Sequence, residues 1–304
     1  MKGVCIILLV SFHISPQYKL HQTFLMPIFF FLSGLNFKTY ESWREFLKKK
    51  INSLLVPFAF FLTLGAVYQF LRDLLENHFN LQPALGNLLI NPINYNTPVW
   101  FLLVLFEIFI IYYLLNRFAR SIIPLILSCV LGVFGYLLIV HDIRLLFYFE
   151  LSLVSIPFFA LGVEVRKLGF VLRQPHYLFT ALLFIITVVW VAVDTPIINM
   201  IAHTFPNPLL LYGMTSMVIL SSFFLSQYVK TEIFFVSYVG RYSLIVLGTH
   251  YFAIGPLKAI LGRILSQPFH QYLAVLAITL LIELPIIWAC KKYIPRLVAI
   301  KPLL

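Results

Sequence analysis

Long apolar stretches run almost uninterrupted through this chain. Residues 100–115 carry one charge, Glu107, and residues 122–140 carry none. Neither stretch alternates in polarity, so neither reads as a barrel strand. Continuous apolar segments of this length read as helices crossing a hydrocarbon layer of ~30 Å, which takes about 20 residues. Lipid offers the backbone no hydrogen-bonding partner, and a helix closes those bonds within itself. Composition points the same way. The chain is 61% hydrophobic and 11% charged, whereas soluble domains sit near 45–50% and roughly 25%. A chain of 304 residues has too little interior to hide the excess.

The pattern predicts an all-α, polytopic transmembrane bundle of about ten spans: 2–16, 22–38, 51–71, 98–116, 121–140, 145–163, 176–193, 207–228, 234–256 and 268–290. Residues 1–304 are expected to form one transmembrane domain, with no internal repeat and no soluble domain. The first span is short for a bilayer. Shelter by neighbouring helices, or residues preceding Met1, would account for that. Residues 3–16 lack a small-x-small cleavage site and lead straight into another span, so no cleavable leader is expected.

The net charge of +11 would raise nucleic acid as a partner in a soluble protein. Here it follows the positive-inside rule. A cytoplasmic N-terminus collects Lys2, Lys38, Arg44, Lys48, Lys49, Lys50, Arg117, Arg120, Arg166, Lys167, Arg173, Lys230, Arg241, Lys291, Lys292, Arg296 and Lys301 on the inner side. It leaves Lys19, Arg72, Arg144, Lys258 and Arg263 outside. Both termini are therefore expected in the cytoplasm, and no nucleic-acid partner is expected. Cys5, Cys129 and Cys290 show no metal or redox spacing and read as small packing residues. The longest polar connection, residues 72–98, reads equally as a lid or as a simple connector.

Ionisable groups inside a span cost roughly 2.5–3.5 kcal/mol at mid-helix, so each needs a reason. His13, Glu107, Glu150, His250 and Glu283 are such groups, with Ser33, Asn36 and Ser243 nearby. Lys2 and His13 are eleven residues apart, close to three helical turns, and so share a face about 16 Å apart along the axis. A cation at the rim and a base deeper on the same face suit a long ligand, anionic at one end and reactive at the other. A snorkelling lysine and a hydrogen-bonded histidine explain the pair equally well. Ser243 and His250 are seven apart and share a face, as do Trp100 and Glu107. Glu150 reads as structural, and Glu283 as a partner for backbone freed by Pro285. Gly34 allows close approach of a neighbour.

The order of these features resembles a known family. A basic residue is followed eleven positions on by a histidine in span one. Pro27-Ile28-Phe29-Phe30-Phe31-Leu32-Ser33-Gly34 lies in span two. Phe46-Leu47-Lys48-Lys49-Lys50 and Leu54-Leu55-Val56-Pro57 follow, then Pro98-Val99-Trp100-Phe101-Leu102, Pro157-Phe158-Phe159-Ala160-Leu161-Gly162, and Tyr242-Ser243-Leu244 with His250. Together they resemble the acyltransferase-3 family of membrane acyltransferases, in particular its short, fucose 4-O-acetylase-like members, over essentially the whole chain. The resemblance implies transfer of an acyl group, usually acetyl, from cytoplasmic acetyl-CoA to a sugar hydroxyl of a glycan or lipid-linked acceptor. It implies a bacterial inner-membrane protein that meets membrane lipid and uses no metal. The family's essential basic–histidine motif falls on Lys2 and His13. A second family motif, two arginines three apart, falls on Lys50 and Ser53. The serine departs from it, which puts a two-pronged phosphate grip in doubt, with Lys48 and Lys49 as substitutes.

On this reading His13 is the base or a transient acyl carrier. Lys2, Lys48, Lys49 and Lys50 grip the donor phosphates, Ser33 and Trp100 line the donor path, and Glu107, Ser243 and His250 assist catalysis. Intramembrane His and Glu residues also mark proton relays, so a transporter or flippase of glycan precursors is the alternative. A structural subunit of an envelope complex is a third reading. Against a transporter, the chain lacks paired broken helices in matching halves.

Overall fold

The computed structural model describes residues 1–15, 19–39, 42–75, 95–119, 121–169, 177–193 and 197–303, with the side chains of 19–23 left aside. Of the 72–98 connection, Asn77, His78, Asn80, Asn87, Asn91 and Asn94 lie outside the described residues, as do Arg120 and Arg173. The described residues are helical, apart from turns and an isolated antiparallel bridge between Asn199 and Thr204.

The helices are α1 Lys2–Ile14, α2 Lys19–Leu35, α3 Trp43–Leu75, α4 Thr97–Phe118, α5 Ile123–Val140, α6 Leu146–Lys167, α7 Tyr177–Val193, α8 Leu209–Tyr228, α9 Phe234–Arg241, α10 Ser243–Ile264 and α11 Pro268–Tyr293. Seven of them, α3, α4, α5, α6, α8, α10 and α11, are long and apolar enough to cross a membrane. The shorter apolar helices α1, α2 and α7 fall on predicted segments one, two and seven.

Two predicted segments differ by more than a few residues at their ends. The segment expected at 234–256 breaks at Tyr242 into α9 and α10. The segment expected at 51–71 is instead a helix from Trp43 to Leu75, with a π-turn at Ile51–Leu55. Pro57 follows two residues after it and has no N–H to give the carbonyl four residues back. A widened turn ahead of it lets the helix continue through that gap.

The chain forms two compact units. The first comprises Met1–Thr39 and Glu107–Arg241, and the second Tyr40–Phe106 and Tyr242–Leu304. The sequence offered no sign of this division. The units interleave along the chain, and α4 runs through the boundary between Phe106 and Glu107.

In the first unit α6 is central, buried almost continuously from Glu150 to Val163. It packs on α5 and α2. Gly34 of α2 and Gly162 of α6 meet at the crossing: a methyl on either would overlap the carbonyl oxygen of Phe159 or of Phe31. Backbone contact of this kind needs small residues, and without a hydrophobic drive between helices in lipid it is a main source of cohesion. Beside the crossing, the rings of Phe37, Phe109, Tyr112 and Phe159 stand 4.9–6.3 Å apart. Edge-to-face pairs of this kind add about 0.5–1.5 kcal/mol each beyond area burial. Large side chains on the opposite faces stay exposed, such as Val130 and Phe134 on α5 and Leu178 and Val189 on α7. An apolar exterior is what lipid requires.

In the second unit α10 packs on α11, on α3 and on the start of α4. Gly248 accommodates the Phe61 ring, which a Cβ would displace. The Asn96 amide donates to Phe61 O at 3.1 Å and to Gly248 O at 2.9 Å. Asn96 therefore ties α3, α4 and α10 together from a fully buried position.

Candidate functional site

The candidate residues divide between the units. Lys2, His13, Ser33 and Glu107 belong to the first, and Lys48, Lys49, Lys50, Trp100, Ser243 and His250 to the second.

α1 is continuous from Lys2 to Ile14, so the eleven-residue spacing operates as a helical one. Lys2 and His13 lie on one face at opposite ends. Lys2 is exposed, and His13 is half-buried with the Phe12 ring centroid at 5.4 Å. On α2 the Ser33 hydroxyl donates to Phe29 O at 2.8 Å, and Asn36 to Leu32 O at 2.8 Å. Both groups are held by their own helix, one turn back. Glu107 accepts the Ser152 hydroxyl of the neighbouring helix α6 at 2.5 Å. That pairing spans 45 positions, and no local pattern carries it.

In the second unit Lys48 and Lys49 are exposed and Lys50 is half-buried. Lys49 bridges to Glu45 at 2.7 Å, one turn back. Ser53, where the family pattern has an arginine, donates to Lys50 O at 3.4 Å. Trp100 is buried at the head of α4 with its ring edge-on to Phe101. Ser243 opens α10 and is buried, and His250 follows two turns later at 0% exposure. His250 Nδ1 lies 2.6 Å from Val246 O. A carbonyl only accepts, so Nδ1 carries the proton, and the lone pair belongs to Nε2. The backbone has thus set the tautomer of a fully buried imidazole.

Beside it, Thr249 Oγ1 lies 2.7 Å from Glu283 Oε2 and 2.8 Å from Ile245 O. Glu283 was expected to serve backbone freed by Pro285. Its partner is Thr249 across the helix pair, and its other oxygen, Oε1, is buried with no partner among the described residues.

One cluster went unseen in the sequence. Glu150 is buried, as its structural reading implied, but its main partner is His203. His203 Nε2 meets Glu150 Oε1 at 2.9 Å, and Leu145 N–H donates to Glu150 Oε2 at 2.9 Å. Arg144 contacts His203 Nδ1 and bridges to Asp142 at 3.0 Å. The turn it holds includes Phe147 and Tyr148 in the left-handed region, at φ 61° and 65°. Such residues cost roughly 1–3 kcal/mol each and persist where surroundings over-determine them. Here the Glu150 carboxylate does so. His203 lies 53 residues from Glu150, in a loop with no periodicity, so only its residue type was available as a signal. No metal-binding group of three or more His, Cys, Asp or Glu exists among the described residues.

Residues 1–288 match the profile of the acyltransferase-3 acyltransferase domain. The chain belongs to the acyltransferase-3 family. The match covers α1 and nearly all of α11, so it takes in both compact units. This acyltransferase-3 domain is accordingly a membrane acyltransferase. No curated protein and no solved structure gives a significant match.

Proposed function

We propose that the chain is an O-acyltransferase of the bacterial cytoplasmic membrane. It moves an acyl group, acetyl in the first instance, from cytoplasmic acyl-CoA to a hydroxyl of a cell-envelope or exopolysaccharide sugar. The observation that carries this reading is the face of α1, where Lys2 and His13 lie three turns apart on one continuous helix. Ten crossings with both termini inside fit the charge bias of the loops.

Lys2 takes the phosphates of the donor in the first unit, and Lys48, Lys49 and Lys50 are the anion-binding candidates of the second. Lysine does so as a point charge rather than a fork. The pantetheine arm brings the thioester past Ser33 to His13, and Trp100 is the second unit's candidate for lining the donor path. His13 takes the proton from the sugar hydroxyl as that oxygen attacks the thioester carbon. The C–O bond forms, the C–S bond breaks, and the proton passes to the leaving thiolate. Transfer through a transient acyl-His13 balances equally. The Nε2 lone pair of His250 offers a second acceptor for a hydroxyl proton, with Ser243 on the same face of α10. Glu107, bonded to Ser152, holds α4 to α6.

The test uses purified protein, radiolabelled acetyl-CoA and a panel of glycans. Label is expected in a glycan, and His13→Ala should abolish it. Absence of transfer to every glycan, together with absence of CoA binding, would sink the reading.

A further inference from the structure

α1 has a second functional face. Met1, Val4, Cys5 and Leu8 line a cavity of about 520 Å³ bounded also by α2, the end of α8, the turn after it and α9. At 3.6 residues per turn these four positions centre about a third of the way round the helix from Lys2 and His13. The cavity is therefore not the face on which the donor path was drawn.

The body of the cavity is apolar, formed by Val4, Leu8, Phe24, Ile28 and Leu225. Its mouth is not. Lys230 and Glu232 lie two residues apart in the exposed turn between α8 and α9, both line the cavity, and neither pairs with another described residue. A cation and an anion left unpaired side by side complement a ligand carrying both charges. An anionic head would meet Glu232 with repulsion, and a cationic head would meet Lys230. The volume falls within the roughly 300–1,000 Å³ of pockets that take one small ligand, which suits one alkyl chain rather than a whole two-chain lipid.

We infer that this cavity is a lipid site. One chain of a zwitterionic phospholipid with a primary amine inserts between α1, α2 and α8, its phosphate on Lys230 and its ammonium on Glu232. The lipid comes from the leaflet at the Lys2 end of α1. Bound there, it would brace α1 from behind. The site stands apart from acyl transfer, and its failure would leave the transferase reading intact.

The experiment titrates the full-length protein, in detergent, with phosphatidylethanolamine, phosphatidylcholine or phosphatidylglycerol and counts retained lipid by native mass spectrometry. Phosphatidylethanolamine should be retained over the other two by about tenfold. Leu8→Trp, which fills the cavity, should remove that retention. Glu232→Lys, on an exposed turn, should shift preference to phosphatidylglycerol. Thermal unfolding of each variant separates loss of the site from loss of the fold. Equal retention of the three lipids, or unchanged retention in Glu232→Lys, overturns the proposal. So does displacement of the lipid by CoA, which would make the cavity a donor subsite.

Discussion

His13 and His250 both sit within apolar helices of this chain, and their surroundings are opposite. His250 is fully buried, its Nδ1 proton committed to Val246 O and its position fixed by the backbone that carries it. His13 is half-buried in the last turn of a thirteen-residue helix, one helical face away from a cavity and in line with an exposed lysine. Burial and a fixed tautomer make His250 a well-placed lone pair with little freedom. Partial exposure makes His13 reachable by a ligand that has to arrive, react and leave. A group that exchanges substrates at each turnover needs the second environment, and a group that orients one of them suits the first.

The sharpest way to break this comparison is to remove each imidazole in turn. His13→Ala should lower kcat by roughly 10²–10⁴-fold, the usual contribution of a positioned base, as read by label transfer from acetyl-CoA. His250→Asn keeps an amide donor for Val246 O and deletes Nε2. The fold should survive, and kcat should fall about tenfold, the equivalent of one modest hydrogen bond. If the two losses came out reversed, the base would be His250, and His13 would revert to a structural role.

Next in size are changes to the scaffold. Gly162→Leu should separate α6 from α2 at the Gly34 crossing and cost about 1–3 kcal/mol or more, as overpacking does, seen as a lowered unfolding temperature in detergent. Thr249→Val removes the one described partner of the Glu283 carboxyl. It should destabilise by about 1–3 kcal/mol, the cost of leaving a buried polar group unpaired, while leaving the KM for acyl-CoA unchanged. Smaller again, Lys2→Ala should raise that KM about tenfold with little change in kcat, since it removes binding that ground state and transition state share. The smallest effect belongs to Glu45→Ala. Its exposed pair with Lys49 should contribute no more than about 0.5 kcal/mol, and both stability and KM should stay near wild type.

How much of this was legible beforehand depends on range along the chain. The Lys2–His13 face and the Ser243–His250 face follow from helical period, and both pairs do lie on continuous helices. Gly34 was marked for close approach, and the Phe159 carbonyl fills that space. The π-turn before Pro57 and the break at Tyr242 moved boundaries because hydropathy registers apolar content and not hydrogen-bond register. What escaped was every partner at long range. Ser152 for Glu107, Thr249 for Glu283 and His203 for Glu150 lie 45, 34 and 53 positions away, and pairing over such distances is decided by which helices pack. The exposed Lys230 counts in the sequence only as loop charge, and Glu232 carries no signal there, since a sequence does not show that both border one cavity.

Asn96 carries a consequence for how this chain can change. Its amide grips carbonyls of two other helices, Phe61 on α3 and Gly248 on α10, just ahead of the first turn of α4. The end of the 72–96 connection is thereby pinned by one side chain, whatever route precedes it. Loop-closure entropy rises only slowly with length, so residues added or removed ahead of Asn96 should leave the second unit standing. Variation among related chains, or a graft chosen by an engineer, has a natural place to begin there.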